Sequence, residues 1–536
     1  MAYEDEPYDD EFDDEELLDE DEQGEDLEQR ERNAMLTGWG ISLALHAIVA
    51  LILLFVVVAV RLVQNIPPTR SVDIETIEVP PEEEEELREL EEQDVTIEHE
   101  VEVKNPTVQQ LVVEIEELST EDPEVPEVME PKGREEAKAT CETGSTGAFM
   151  AIGGGGGGSG AFGNRRGGGR RRALGKYGGS KGSQSAVLAA LRWFKRHQSE
   201  NGMWDVDGYP VNCTLAGPKC EPGSNVSGAD AAVTGYALLC FLGAGYDHKV
   251  PNQFQKTIQK GLDWLVDNQK GEGRWGRNYE NGVCTMALAE AYAMTMDKRL
   301  REPAQKGVDF LLSKQNPGEG KDAYGGSGWN YVGPTPTRND SSVTGWCVMA
   351  LKSAKAAQLD TKGGLEGCKW WLEETWKATN PNWETVDQYD GKTQFPYTFN
   401  EVTKTTARNH LSCIGALCAV FLGYNAEDKL LTTMCNDILD RHLDKSRTWP
   451  TDSYYMYYNT LALFQHGGDK LEQWNKVVRD MLVNSQRKGD GCFDGSWDPN
   501  GAGGHRIAHV GRTIVTAYAC LSLEVYYRYL PVGVKN

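Results

Sequence analysis

Gln198-Ser-Glu-Asn-Gly202-Met-Trp204 and Gln269-Lys-Gly-Glu-Gly273-Arg-Trp275 share one spacing, Gln-x-x-x-Gly-x-Trp. Each closes a similar amphipathic run, Leu191-Arg-Trp193-Phe-Lys-Arg-His-Gln198 and Leu262-Asp-Trp264-Leu-Val-Asp-Asn-Gln269. A third run, Val308-Asp-Phe310-Leu-Leu-Ser-Lys-Gln315, repeats the helical half. A late copy runs from Met481 to Gln486 and is read onward through Gly489, Gly491 and Phe493. In a fourth copy, Trp370-Trp371-Leu, Thr375 stands where Gln is expected. Self-similarity at a fixed period decides architecture before any single residue is interpreted.

Apolar segments beginning at a small hydroxyl residue alternate with these runs. Val233-Thr234-Gly-Tyr-Ala, Val343-Thr344-Gly-Trp-Cys and Val515-Thr516-Ala-Tyr-Ala match closely; Cys284-Thr285 and Leu411-Ser412 are looser, and Tyr457 takes the hydroxyl position in the fifth unit. A helix apolar all round must be buried, whereas an amphipathic one needs only one covered face. The pattern predicts an all-α ring of about six hairpins, an α/α toroid over 183–530, with amphipathic helices outside and apolar helices inside. Gln can bond free backbone groups at a helix end, Gly permits the sharp exit, and Trp covers the next hairpin.

These repeats resemble the squalene–hopene cyclase and prenyltransferase superfamily, in which a Gln-x-x-x-Gly-x-Trp element follows an outer helix. The resemblance implies a central site at the N-terminal ends of the inner helices. It also implies a catalytic acid in an Asp-x-Asp-Asp-Thr sequence. Aligned on Thr344, that sequence falls on Asp340-Ser341-Ser342-Val343, so Ser342 takes the proton donor's place and Val343 that of its supporting carboxylate. A serine hydroxyl is too weak an acid to protonate an alkene, and Asp230-Ala-Ala-Val departs in the same way. Asp230 and Asp340 are therefore expected as helix caps, with direct ligand contact as the other reading. Asp340, Asp230 and His410 are the catalytic candidates if an enzyme persists. Cavity candidates are Asp230, Asp340, His410, Tyr454, Tyr455, Tyr458, His509 and Arg512. The expected role is a module binding an isoprenoid-like apolar ligand or a partner; the alternative is a divergent terpenoid cyclase or prenyltransferase-like enzyme. No cofactor is expected. No metal site is expected either: the chain has no Cys-x-x-Cys pair, and Cys284, His410 and Cys413 are scattered. Cys213 and Cys220 flank a loop and are candidates for a disulfide, with free thiols or a metal pair as alternatives.

The formal charge of −28 is uneven. Residues 1–150 hold 9 Lys and Arg against 44 Asp and Glu, and the remainder 45 against 38. Acidity is thus a property of the N-terminal portion. Residues 1–34 read as a disordered acidic tail, because such a block repels itself. Ile41 to Val60 is apolar except for Ser42 and His46, and about twenty such residues suffice to cross a bilayer. Residues 35–63 are therefore read as a retained single-pass transmembrane helix. Ser42 and His46 share a face at i,i+4, a pairing similar to the Ser-x-x-x-His element of TonB-type anchor helices. That resemblance implies docking to ExbB/ExbD-like motor subunits, and a bacterial inner-membrane location with the toroid on the periplasmic side. Residues 64–150 read as an acidic Pro- and Glu-rich spacer. Residues 151–182 read as a flexible Gly/Arg-rich linker whose cations answer the acidic spacer or anionic lipid; nucleic acid is not an expected partner.

Overall fold

The computed structural model describes residues 165, 167–224, 229–318, 326–382, 394–499 and 510–529. The chain divides into two compact units, Met1–Leu118 and Ser119–Asn536, and every described residue falls in the second. The anticipated acidic tail, membrane span with Ser42 and His46, and acidic spacer lie outside the described residues. No helix among the described residues is long and apolar enough to cross a membrane.

Helix α1 (Gly167–Tyr177) precedes the ring. Outer and inner helices then alternate: α2 (Lys181–His197) and α3 (Asp230–Gly243), α4 (Gln255–Asp267) and α5 (Asn278–Thr295), α6 (Lys298–Ser313) and α7 (Ser341–Ala356). The second half continues with α8 (Gly364–Thr379) and α9 (Ser412–Phe421), α10 (Lys429–His442) and α11 (Ser453–His466), α12 (Gly468–Ser485) and α13 (Arg512–Leu523), and ends in the short α14 (Val525–Arg528). Each inner helix packs against the next, and α13 packs back on α3, so the ring of six closes. The sequence dictates the two layers. In α3 every residue after Asp230 is buried, whereas α4 buries only Thr257, Ile258, Gly261, Leu262 and Leu265 along one stripe. A small antiparallel sheet, β1 (Asn339–Asp340), β2 (Pro396–Asn400) and β3 (Thr405–Asn409), lies at the α7 and α9 entrance, with Asp340 opposite Thr398.

The motif residues act as connectors between repeats. Gln198 Nε2 donates to Gly202 O at 2.7 Å and to Thr257 O, on the next outer helix, at 2.9 Å. Gln269 reaches Pro303 O at 2.9 Å, and Gln315 reaches Gly364 O at 2.9 Å. Gln486 reaches Ala186 O at 2.8 Å, joining the last repeat to the first. Each Trp indole N–H returns to its own outer helix: Trp204 to Phe194 O, Trp275 to Leu265 O, Trp329 to Leu311 O and Trp497 to Leu482 O. The Trp backbone N–H donates to the inner-helix hydroxyl, Thr234, Thr344 or Thr516. Gly202 sits at φ +101°, and a Cβ there would meet Lys260 O at 2.3 Å. Glycine is thus required both by conformation and by the approach of the neighbouring repeat.

Several expectations shift in register. The last repeat is completed by Gly495 and Trp497 rather than Gly489, Gly491 and Phe493: Gly495 has φ +90°, and a Cβ there would meet Ala189 O. In the fourth repeat the Gln position is Asn380, not Thr375. Its shorter amide reaches Gln394 O within its own loop, and Phe395, whose N–H donates to Ser412 Oγ, stands in the Trp place. In the second repeat Asn281 Oδ1 accepts from Trp275 N, the role expected of Thr285. The described part of the Gly/Arg-rich linker is ordered. Arg165 is fully buried and pairs with Glu290 at 2.7 Å, while Arg170 donates to Ala244 O and lies over Tyr527. These two cations are taken up by the toroid itself.

Candidate functional site

The N-terminal ends of the inner helices converge on aromatic side chains. Tyr236 from α3 and Tyr518 from α13 exchange a hydroxyl contact at 3.1 Å, and Tyr279 from α5 lies 3.3 Å from both. Trp346 from α7 stands edge-on to Tyr236, and its ring is parallel to that of Tyr457 from α11. Tyr457 in turn stacks on Tyr518 at 4.8 Å. Tyr458 and Tyr454 extend the cluster along α11, 4.7 Å apart. Toward the protein surface the cluster becomes half-buried. Tyr331 stacks on Tyr279 and meets the Tyr397 hydroxyl at 3.3 Å, and Tyr455 lies between His442 and His410. The result is a packed aromatic cluster with a buried floor and a half-buried rim.

Burial pushes the floor hydroxyls of Tyr236, Tyr518 and Tyr458 well above the usual tyrosine range, reinforced by the neighbouring tyrosines. They are therefore neutral, with O–H groups to donate. Among the described residues, the Trp346 indole N–H and the Tyr457 hydroxyl are buried without a hydrogen-bond partner. Unpaired buried polar groups each cost about 1–3 kcal/mol.

Asp340 caps α7 as anticipated. Its Oδ1 accepts from Ser342 N at 3.1 Å, Val343 N at 3.3 Å and Ser342 Oγ at 2.6 Å, and Oδ2 pairs with Arg338 at 2.9 Å. Asp452 caps α11 in the same way. Asp230 departs from the cap reading: it is the first helical residue, Ala229 is the N-cap, and Asp230 Oδ1 accepts from Val206 N at 2.9 Å. Its position in the first turn still complements the helix dipole. His410 sits on the rim, its Nδ1 on Arg408 O at 2.6 Å. It does not converge with Cys284 and Cys413 on a shared metal position.

Arg512 is not part of the aromatic cluster. It is buried at the junction of last and first repeats, paired with Glu221 and Asp498 and donating to Ser496 Oγ. His509 lies outside the described residues. Cys213 and Cys220 are both buried and stand as free thiols in this structure. Sequence reasoning brought together Tyr454, Tyr455 and Tyr458 and missed Tyr236, Trp346 and Tyr518. The signal lay in the repeat: each stands two residues after a connector hydroxyl, Thr234, Thr344 or Thr516.

A squalene-hopene cyclase C-terminal domain model matches residues 175–415. The squalene–hopene cyclase of Alicyclobacillus acidocaldarius is 31% identical over 114 residues, 20% of this chain and 17% of that protein. The enzyme of Zymomonas mobilis is 28% identical over 99 residues, 18% of this chain and 13% of that protein. The chain thus spans less than a fifth of the length of these curated relatives. Among solved structures, an α-1,6-mannanase from Salegentibacter sp. HEL1_6 aligns with a TM-score of 0.43 at 13% identity, over 64% of this chain and 98% of that one. A type II terpene cyclase from Scytonema aligns at 0.38 and 14%, over 64% and 97%. The ring described above is similar to the squalene-hopene cyclase C-terminal domain over residues 175–415.

Proposed function

We propose that the toroid is a binding module for an isoprenoid-like apolar ligand, taken up at the aromatic cluster of Trp346, Tyr458 and Tyr518. The carrying observation is the aromatic cluster at the N-terminal ends of the inner helices, with Asp340 and Ser342 at the start of α7. Both Asp340 oxygens are engaged by the α7 N-terminus, Ser342 and Arg338. The Ser342 hydroxyl, itself donating to Asp340, is too weak an acid to protonate an alkene. Aromatic walls with a few convergent donors suit an apolar molecule bearing one polar group.

In this reading residues 41–60 anchor the chain in a bacterial inner membrane, the toroid faces the periplasm, and Ser42 with His46 docks ExbB/ExbD-like motor subunits. The ligand reading is tested by organic extraction of the full chain purified in detergent, followed by mass spectrometry. A co-purified isoprenoid that Trp346→Ala abolishes is expected. An empty wild-type protein that also fails to bind added squalene would refute it, and time-dependent conversion of the bound lipid would replace it with the enzyme reading. The docking reading is tested by pull-down of motor subunits with His46→Ala, where unchanged recovery removes the role of His46.

A further inference from the structure

His197 ends α2 with its Nδ1 2.8 Å from the Trp193 carbonyl. A carbonyl only accepts, so Nδ1 carries the proton and Nε2 presents its lone pair. That lone pair faces two sulfurs, Cys213 Sγ at 3.3 Å and Cys220 Sγ at 3.7 Å. The three donor atoms lie within 4.8 Å of one another, and none of the three residues is more than 5% exposed. Cys492, 1% exposed, stands beside this trio from the last repeat, its carbonyl 3.5 Å from Cys220 Sγ, while its own thiol turns toward Leu215 O and lies outside the mutually close set. Its carbonyl accepts from the Trp193 indole at 3.0 Å. One tryptophan therefore fixes both the histidine, through its backbone, and the distant cysteine, through its side chain. The same indole stacks on the His197 ring at 4.4 Å.

The distances discriminate between chemistries. Tetrahedral zinc with Zn–S of about 2.3 Å and Zn–N of about 2.05 Å has N···S edges of roughly 3.6 Å. The two observed N···S separations bracket that value. A histidine whose far nitrogen is held by a backbone carbonyl is also the usual outer-sphere arrangement of a metal ligand. We propose that His197, Cys213 and Cys220 form a structural zinc site, which the Cys492 thiol completes to Cys3His by a change of side-chain rotamer when the ion binds. Binding displaces the three thiol protons to solvent and leaves a net charge of −1 on the centre. The Arg196 and Arg512 guanidiniums act on the cluster with the opposite sign. The ion ties the first outer-helix loop to the loop after α12, where the two ends of the ring meet.

The test is zinc content of the full chain, purified under reducing conditions without chelator. Close to one zinc per chain is expected in the wild type. Cys220→Ser and Cys492→Ser should fall to a fifth of that or less, and Cys435→Ala, a buried thiol outside the cluster, should keep it. Should the serine variants fold poorly, cobalt(II) exchanged into the wild type supplies a second readout: thiolate-to-cobalt absorption with tetrahedral ligand-field bands. Wild-type protein holding less than a tenth of an equivalent and showing no such spectrum overturns the proposal. Loss of zinc from Cys435→Ala equal to that from Cys492→Ser overturns it too. So does a mass short of two hydrogens that maps to a Cys213–Cys220 disulfide.

Discussion

Removing the Gln486 amide should loosen the ring at its one non-covalent seam. Gln486 Nε2 donates to Ala186 O at 2.8 Å and Gly495 O at 2.9 Å, and the residue is 6% exposed. The first bond crosses from the last repeat to the first; the second fixes the exit toward Trp497. Two buried bonds at about 1 kcal/mol each, plus the penalty for the stranded Gly495 carbonyl, put Gln486→Ala at about 2–4 kcal/mol. For a folded body of roughly 350 residues, that is a fall of about 3–5 °C in melting temperature. Scanning calorimetry of the detergent-solubilised protein reads the shift. Gln486→Glu is the sharper arm. It preserves size but places carboxylate oxygen against two carbonyl oxygens, so its loss must exceed that of Gln486→Ala. A glutamate variant as stable as wild type, or more stable than the alanine variant, would refute the connector reading and leave only packing. Gln198→Ala removes the equivalent bonds to Gly202 O and Thr257 O and should destabilise similarly. Faster amide exchange at both α2 and α12 is expected from the Gln486 variant alone.

Gly202→Ala forces φ +101° on a side chain whose Cβ would meet Lys260 O at 2.3 Å; a loss of more than about 2 kcal/mol by urea unfolding is expected. Glu290→Ala leaves Arg165 and Arg528 buried without their shared carboxylate, which should cost about 3–5 kcal/mol by the same assay. Glu524, whose carboxyl is pushed up to about 8 by burial, keeps its proton in the fold while the unfolded chain releases it near pH 4.5. Its contribution is therefore fully present below about pH 4.5 and is lost as pH rises through about 8. Glu524→Gln should flatten the thermal stability profile across that window, and an unchanged profile would show that another group sets it.

The layered ring was legible because its cause is local and repeated. Connector glutamines, left-handed glycines and all-round apolar helices each constrain one repeat, and six copies average out individual drift. Register was lost where one copy departs from its siblings. Phe493 resembles a motif aromatic, but only Gly495 combines φ +90° with the close approach to Ala189 O. That contact crosses the ring seam, so no window of neighbouring residues contains it. The aromatic cluster was half legible for a related reason. Tyr454, Tyr455 and Tyr458 announce themselves by clustering in sequence, whereas Tyr236, Trp346 and Tyr518 are single residues on three helices. They meet because each follows its connector hydroxyl by two positions, which turns all three toward one axis. The cysteine cluster lay furthest from view. His197 and Cys213 are 16 residues apart, while Cys220 and Cys492 are separated by 272, a spacing that matches no short metal motif. A closed ring makes such a set possible, because closure brings the first and last repeats into contact. The feature that made the fold readable in short segments thus also assembles sites from residues that no short segment contains.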